Sequence, residues 1–533
     1  MKFNATQIPY HATGLFSPLV RDYINGKGTA SDFVNYVPSI DGIEKATSAR
    51  NNFKVNRSLL VEVLKAQYAT IPSTKAVNEN VESLLKENTY VITTAHQPNI
   101  FTGPLYFFYK IIHAIQLAAD LKKQFPQNNY VPVYYMGSED ADIEEVGSFY
   151  LGGDKLQWST KQSGAIGRMK VDDALIGLLK NMEGYWSVKP QGKEALNALV
   201  DAYKKGVTIN EATLSLVHSY FGQYGLVVIQ PDDAKLKASF IPVMEKELLT
   251  QFSHKALQPT LEKLRLQYHV QTEGRAINLF YLKDNLRARI ELNDGVYAIV
   301  DTDITFTSAE IIAELHAHPE RFSPNVILRG VYQETILPGI AFIGGGGELA
   351  YWMELKDVFK EANVHYPLLQ LRNSFLFINA KMAKQWNELG FELTDLFKTT
   401  SDLEVAYVKA NAQHNLSLEA SIEAMKTLYS QIQKQAIEVD ATLGDHTMNL
   451  SVQSIKKLAE LEKKILKAEK KKQAVAIERV QHIKMHLFPE NSLQERVDNF
   501  AEWVGEYGWD WVEAVLQNSN SLDHAFTILV AKD

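Results

Sequence analysis

The chain has 533 residues, a formal net charge of −8, 46% hydrophobic and 22% charged residues, and no cysteine. This composition describes a globular protein with a large core and excludes a disordered one, and its mild acidity gives no reason to expect nucleic acid as a partner. Without cysteine there are no disulfides, thiolate nucleophiles, Fe–S clusters or Cys-type zinc sites. The first residues lack a charged segment followed by an apolar one, and no apolar run approaches the roughly 18 residues of a membrane span. The expectation is a cytoplasmic protein with no membrane contact.

Residues 1–89 carry apolar positions at helical spacing, among them Phe16, Leu19 and Tyr23 and then Leu59, Leu60, Val63 and Leu64, so a mostly helical lead-in is expected. Residues 90–121 then read as strand, loop and helix. The apolar run from Tyr90 ends in a turn-rich stretch from His96 to Gly103, and Leu105, Phe108, Ile112, Ile115 and Ala119 restore helical spacing. Open α/β sheets bind ligands at such a strand-to-helix loop. A second buried strand, Val131–Met136, ends at Gly137 and opens into Ser138, Glu139, Asp140, Asp142, Glu144 and Glu145. The two strands and their helix form a βαβ unit, which puts the acids on the same sheet edge as His96.

Residues 150–225 suggest an insertion of small strands and helices. Leu226–Asp233 reads as another buried strand ending in acids, residues 236–270 as helical, and the segments NLFYLKD, ARIEL and VYAIVDT as antiparallel strands of a second insertion. Ser323 before Pro324 has the form of an N-cap followed by a first-turn proline, predicting a helix that Gly339 closes or kinks. A short strand leads into four glycines, Gly344 to Gly347, and a helix from Glu348 to Phe359; His365–Asn379 supplies one or two more strands. In the region from 381 to 484, Ile422, Met425, Tyr429, Ile432, Ala436, Val439 and Leu443 alternate spacings of three and four. That is a heptad seam. Gly444, Asp445 and His446 interrupt it, and Leu458, Leu461, Ile465 and Ala468 begin a second seam, which predicts an antiparallel helical hairpin. The expected organisation is a core at 1–380, a coiled-coil arm at 381–484, and a segment at 485–533 that returns to the core and ends in a strand.

Several residues have the chemistry of a site. The turn His96-Gln97-Pro98-Asn99 resembles the H-x-G-H turn of class I nucleotidyltransferases, where imidazoles and helix amides stabilise developing phosphate charge; a purely structural turn is the alternative. Glu139, Asp140 and Asp142 suit metal binding, proton acceptance from an amine or the holding of an ammonium group, and a solvated acidic loop is the alternative. Gly344, Gly345, Gly346 and Gly347 bring backbone amides to an anion or make a tight packing turn, and they lack the Lys-Ser/Thr of a P-loop. Arg329, Gln333 and Arg372 lie in apolar stretches, where an arginine needs an anionic partner, either a ligand or a structural acid. The lysine-rich helix at 451–484 reads as a solvated coiled-coil face, with attraction of an anion or nucleotide as the alternative.

Four ordered blocks, TAHQPNIFTGPLYFFYK, VPVYYMGSEDADIEEV, FSPNVILRGVYQETILPGIAFIGGGGELAYWMELK and LFPENSLQER, together resemble the cysteine-adding enzymes of bacillithiol synthesis. The resemblance covers essentially the whole chain. It implies an α/β fold, with a Rossmann-like core carrying connecting insertions and a long antiparallel coiled-coil arm that forms a homodimer. It also implies a ligase that adds L-cysteine to the amine of glucosaminyl-malate, with those two small molecules as substrates. ATP or another nucleotide is the expected cosubstrate, and the metal requirement is open. On this reading His96, Glu139, Asp140 and Asp142 are catalytic; Asn99, Thr102, Gly103, Arg329, Gln333 and Arg372 bind substrate; and the four glycines bind nucleotide or anion. The chain departs from the family's usual residues at Asn99 (commonly Gly), Ala141 (commonly His) and Gly346 (commonly Pro). Two other readings are a nucleotidyltransferase that activates another carboxylate or a sugar phosphate, and a non-catalytic dimeric scaffold.

Overall fold

The computed structural model describes residues 3–532. The chain divides into two compact units: one comprises the chain up to Leu376 with Ser492–Leu529, the other Phe377–Asn491 with the residues from Val530 on.

The first unit is built on a five-stranded parallel sheet in the order Leu368–Leu371, Gly339–Gly344, Thr89–His96, Asn129–Met136, Val227–Ile229. These strands are apolar without alternation because helices cover both faces; along Thr89–His96 every residue but His96 is buried. Ala114, Leu117, Ala118 and Leu121 of the Tyr106–Gln124 helix share a core cluster with Tyr90, Ile92, Ile340 and Ile343. Burying each larger side chain contributes about 1.5–3 kcal/mol. The chain leaves Thr89–His96 for a neighbour on one side and returns much later on the other. Their carboxyl ends therefore flank a topological switch point, where such sheets bind ligands.

The lead-in is helical from Tyr10 to Ser83, as expected, but it begins with a strand, Phe3–Pro9. That strand belongs to a second sheet with Ala525–Ala531 and Ser374–Ile378. The two strands expected within residues 365–379 thus lie in different sheets. The predicted antiparallel insertion is a five-stranded sheet, Thr305–Phe306, Val296–Ile299, Leu286–Asn293, Leu279–Lys283 and Phe322–Pro324 in that order.

Its last strand corrects the helix start expected at Ser323. Ser323 pairs with Phe280 in the ladder, and Asn325 caps the Val326–Ile336 helix, its side-chain oxygen accepting from the Ile327 amide at 2.9 Å. That helix ends before Leu337-Pro338, since proline disfavours helix at the residue before it. Gly339 opens a strand instead of closing the helix. The four glycines do not form a free loop. Gly344 ends the strand, Gly345 is the N-cap, and Gly346 starts the helix to Glu354. None of the four has a positive φ. Glycine at 344 serves close packing, because a Cβ there would sit 2.9 Å from Leu349 and Phe342 atoms.

The second unit contains the predicted hairpin. Helices Glu419–Val439 and Leu443–Lys472 run antiparallel, with Tyr429 bonded to Ser454 at 2.9 Å and the Leu418 amide to Glu462 at 3.2 Å. The break falls at residues 440–442, where Asp440 accepts from the Thr442 amide at 2.8 Å, so Gly444, Asp445 and His446 lie inside the second helix. The seam also drifts from its expected register. Gln433 takes the inward place next to Gly444, donating to its carbonyl at 3.1 Å, and Ile432, Val439 and Leu443 are left exposed. A straight helix turns 3.6 residues per turn against the 3.5 of the heptad, which moves the apolar stripe off the seam. Val408, Leu416 and Ile477 form one small core cluster of this unit.

Candidate active site

A cavity of about 390 Å³ opens at the carboxyl edge of the parallel sheet, within the size range of small-ligand sites. The parallel register sets His96 beside Met136, and the Gly137 amide donates to the His96 carbonyl at 2.7 Å. On the other side the Arg372 amide donates to the Gly344 carbonyl at 2.8 Å. Three neighbouring strand ends therefore deliver His96, the acids after Met136 and the glycine turn to one place, as the sequence pattern implied.

His96 lines the cavity, with its ring 5.2 Å from Tyr106 and its Nε2 buried without a partner. Burial, then Lys110 and Arg372, hold its pKa well below the ordinary imidazole value. It is a neutral ring that gives or accepts one hydrogen bond, and the positive charge beside it belongs to its neighbours. Lys110, fully buried on the following helix, donates to the Ala95 carbonyl at 2.9 Å and pairs with Glu348 at 2.5 Å. Glu348 in turn accepts from the Gly345 amide at 2.9 Å. Of the four glycines only Gly345 and Gly347 line the cavity, and a Cβ on Gly347 would meet nothing within 4 Å. Gly344 and Gly346 pack inward, and the Gly345 amide is already taken by Glu348. Any anion binding at this turn would use the remaining amides of the first helical turn.

The acids divide sharply. Glu139 lines the cavity but is buried against Lys237 at 2.5 Å; Lys237 also holds Asp232 at 2.9 Å, and Asp232 grips Arg168 through two bonds. Asp140 lines the cavity, accepts from Gln97 at 3.2 Å and faces Arg287 at 3.9 Å. Asp142 does not line it. Its side chain caps the short Ile143–Val146 helix through the Glu145 amide at 3.1 Å, which uses the carboxylate for structure.

The arginines divide as well. Arg372 is neutralised by Glu495 at 2.7 Å, both side chains being buried. Arg329 donates to Tyr351 at 2.8 Å and Gln333 at 3.3 Å, and lies 5.6 Å from the Tyr135 ring centre. Among the described residues no carboxylate pairs with it. Gln333 is fully buried and orients Arg329 without reaching the cavity.

Asn99, Thr102 and Gly103 also lie outside the cavity lining and are buried beneath it. Phe101, Thr102 and Gly103 have φ of 50°, 71° and 62°, a conformation that costs the two non-glycine residues on the order of 1–3 kcal/mol each. Asn499 holds it, donating to the Phe101 carbonyl at 3.0 Å and the Gly103 carbonyl at 2.7 Å, while Tyr203 accepts from the Phe101 amide at 3.1 Å. A Cβ on Gly103 would come within 2.8 Å of Asn99. This strained turn fixes the start of the Lys110 helix. It is support for the site, and polar residues in a loop after a strand gave no sign of that.

Lys110, Glu145, Arg287, Glu348, Tyr351 and Arg496 also line the cavity and were not singled out from the sequence as site residues. Lys110 had one legible signal, a charge inside an otherwise buried helix. The pairing of Lys110 with Glu348 had none, since the two are far apart in the chain.

A Rossmann-like sheet with a charged cavity at its switch point, in a chain that also carries a coiled-coil hairpin, defines an α/β enzyme class with a helical appendage. Residues 1–373 match the family described as "Bacillithiol biosynthesis BshC, N-terminal Rossmann-like domain", and residues 375–531 match its "C-terminal coiled-coil domain". The chain belongs to this family of bacillithiol biosynthesis. A relative from Flavobacterium johnsoniae named "Putative cysteine ligase BshC" is 40% identical over 528 residues, covering 98% of this chain and 99% of its own. A relative of the same name from Flavobacterium psychrophilum is 37% identical over 525 residues, covering 98% of each chain. One from Bacillus cereus is 26% identical over 520 residues, covering 95% and 96%. Among the described residues no helix is long and apolar enough to cross a membrane.

Proposed function

We propose that the protein is a ligase that joins the carboxyl of L-cysteine to the amine of glucosaminyl-malate, the last step of bacillithiol synthesis. Its family and the names of its relatives support cysteine addition. The observation that carries the finer reading is Arg329, a guanidinium lining the cavity with no carboxylate partner among the described residues. Such a group fits a ligand carboxylate in bidentate fashion, as malate would supply, whereas Arg372 is already neutralised by Glu495.

A carboxylate does not condense with an amine in water unaided, so the cysteine carboxyl must first be activated. ATP or another nucleoside triphosphate is the activating substrate on this reading, making an acyl phosphate or acyl adenylate. Neutral His96 offers a hydrogen bond to the phosphoryl oxygens, beside the ion-paired Lys110 and Arg372. The hairpin pairs two copies of the chain. Its exposed Leu428, Ile432, Val439, Met448 and Val452 support this, since exposed apolar residues that gather into a patch mark association surfaces.

Incubation with cysteine, glucosaminyl-malate and ATP, followed by product mass, tests the reading. The expected product weighs the sum of the two substrates less one water. No amide with or without ATP overturns the reading, and AMP with pyrophosphate but no amide favours a nucleotidyltransferase. His96→Ala is expected to lower turnover about 10²–10³-fold. Because His96 is neutral in the wild type, its pH profile has no limb near the ordinary imidazole pKa; such a limb, lost in His96→Ala, would refute this role.

A further inference from the structure

The carboxylates that line the cavity are not equivalent. Glu139 is locked to Lys237, Asp140 is held by Gln97 and its own loop amides, and Glu348 joins Lys110 to the Gly345 amide. Glu145, a partly solvent-exposed residue, lines the same cavity, and its carboxylate has no hydrogen bond or ion pair among the described residues. Only its backbone is engaged, with the amide fixed by the Asp142 cap and the carbonyl accepting from Ser148. That cap uses the Glu145 amide and not its side chain.

We propose that Glu145 is the catalytic base of the ligation, receiving the substrate ammonium and taking its proton before the amine attacks. This rests on the reading of the protein as an amide-forming ligase. The Glu145 carboxylate removes one proton from the ammonium. The freed nitrogen pair forms the C–N bond at the activated cysteine carboxyl. The C–O bond to the phosphoryl group then breaks, its electron pair leaving on the phosphate or AMP oxygen. The second N–H proton passes to water as the adduct collapses, and Glu145 later releases its own proton to solvent.

The surroundings suit this role. Burial, then Asp142 and Asp140, raise the pKa of Glu145 above the ordinary carboxyl value, which makes it a stronger base. Tyr106 faces it from the helix after the His96 turn, and Arg287 and Arg496 share the cavity wall. The same cavity holds two groups that await a ligand, the unpartnered Nε2 of His96 and the acid-free Arg329. Arg329 and Glu145 together offer one site for a carboxylate and one for an ammonium, the two charge types of an aminated dicarboxylate.

Glu145→Gln in the full-length protein tests the proposal, with Glu144→Gln, which does not line the cavity, as the control. Glu145 has no side-chain partner in the fold, so the variant should fold as the wild type does, and its melting curve checks this. The expected result is a fall of about 10² in kcat/KM for the amine at neutral pH. The loss should shrink as pH rises, because the free amine then needs no base, and Glu144→Gln should stay within twofold of wild type. A Glu145→Gln rate within twofold of wild type, or a loss that does not change with pH, overturns the proposal while leaving the ligase reading intact. A wild-type protein that forms no amide overturns both.

Discussion

The parallel sheet and the helical hairpin use the same apolar residue types to opposite effect. In the Thr89–His96 strand every residue but the last is buried, whereas in the Glu419–Val439 helix none is. The sheet finds its packing partners within its own unit. The hairpin satisfies its backbone internally, as any helix does, and leaves Leu428, Ile432 and Val439 facing outward. The difference teaches that burial in the sheet is a folding requirement, while the hairpin folds with apolar side chains left on its surface.

The sharpest way to test that contrast is to remove one charge from the core. Lys237 is buried between Glu139 and Asp232. Lys237→Met leaves Glu139 without its cation, and is expected to cost about 3–5 kcal/mol, read by denaturant unfolding of the purified protein. A loss under about 1 kcal/mol would show that the cluster is hydrated and the contrast overstated.

Next in size is a pH effect at Asp498, beside the Asn499 clamp. Burial, then Glu502, push its pKa up to about 7. The native state therefore favours the protonated acid. Its contribution is fully present below the usual carboxyl pKa of about 4 and is lost as pH rises through about 7, on the order of 4 kcal/mol in all. Asp498→Asn should flatten stability between pH 4 and 8, and an unchanged pH slope would rule this out.

Smallest of all should be the hairpin. Ile432→Gln and Val439→Gln are expected to change the stability of the isolated chain by about 0.5 kcal/mol or less each. Together they should convert a dimer to a monomer in analytical ultracentrifugation. A wild-type monomer, or a variant that stays dimeric, would break the proposed pairing.

The legibility of the molecule follows the same division. Mostly apolar runs without alternation marked Thr89–His96 and Val131–Met136 because strands covered on both faces favour them. The strand-to-helix turn at His96 and the acids after Met136 were readable together, since parallel neighbours end on one edge. The helix start at Ser323 misled because Ser-Pro is a local signal that ladder pairing with Phe280 overrides. The outward turn of Ile432 and Val439 was hidden because heptad counting assumes a supercoil that a short hairpin does not sustain.

By itself the sequence determined the α/β core, the βαβ unit that presents His96, the hairpin and the family, because each rests on local periodicity or on ordered blocks of residues. Only the tertiary structure decided which charges are free. Arg372 and Glu139 read as site residues, but Glu495 and Lys237, distant in sequence, neutralise them. Among the described residues, Arg329 meets the hydroxyl of Tyr351 and no paired acid, and the Glu145 carboxylate meets no side-chain partner. Ion pairing depends on distances of a few ångströms between segments far apart in the chain, and no spacing along the sequence encodes it.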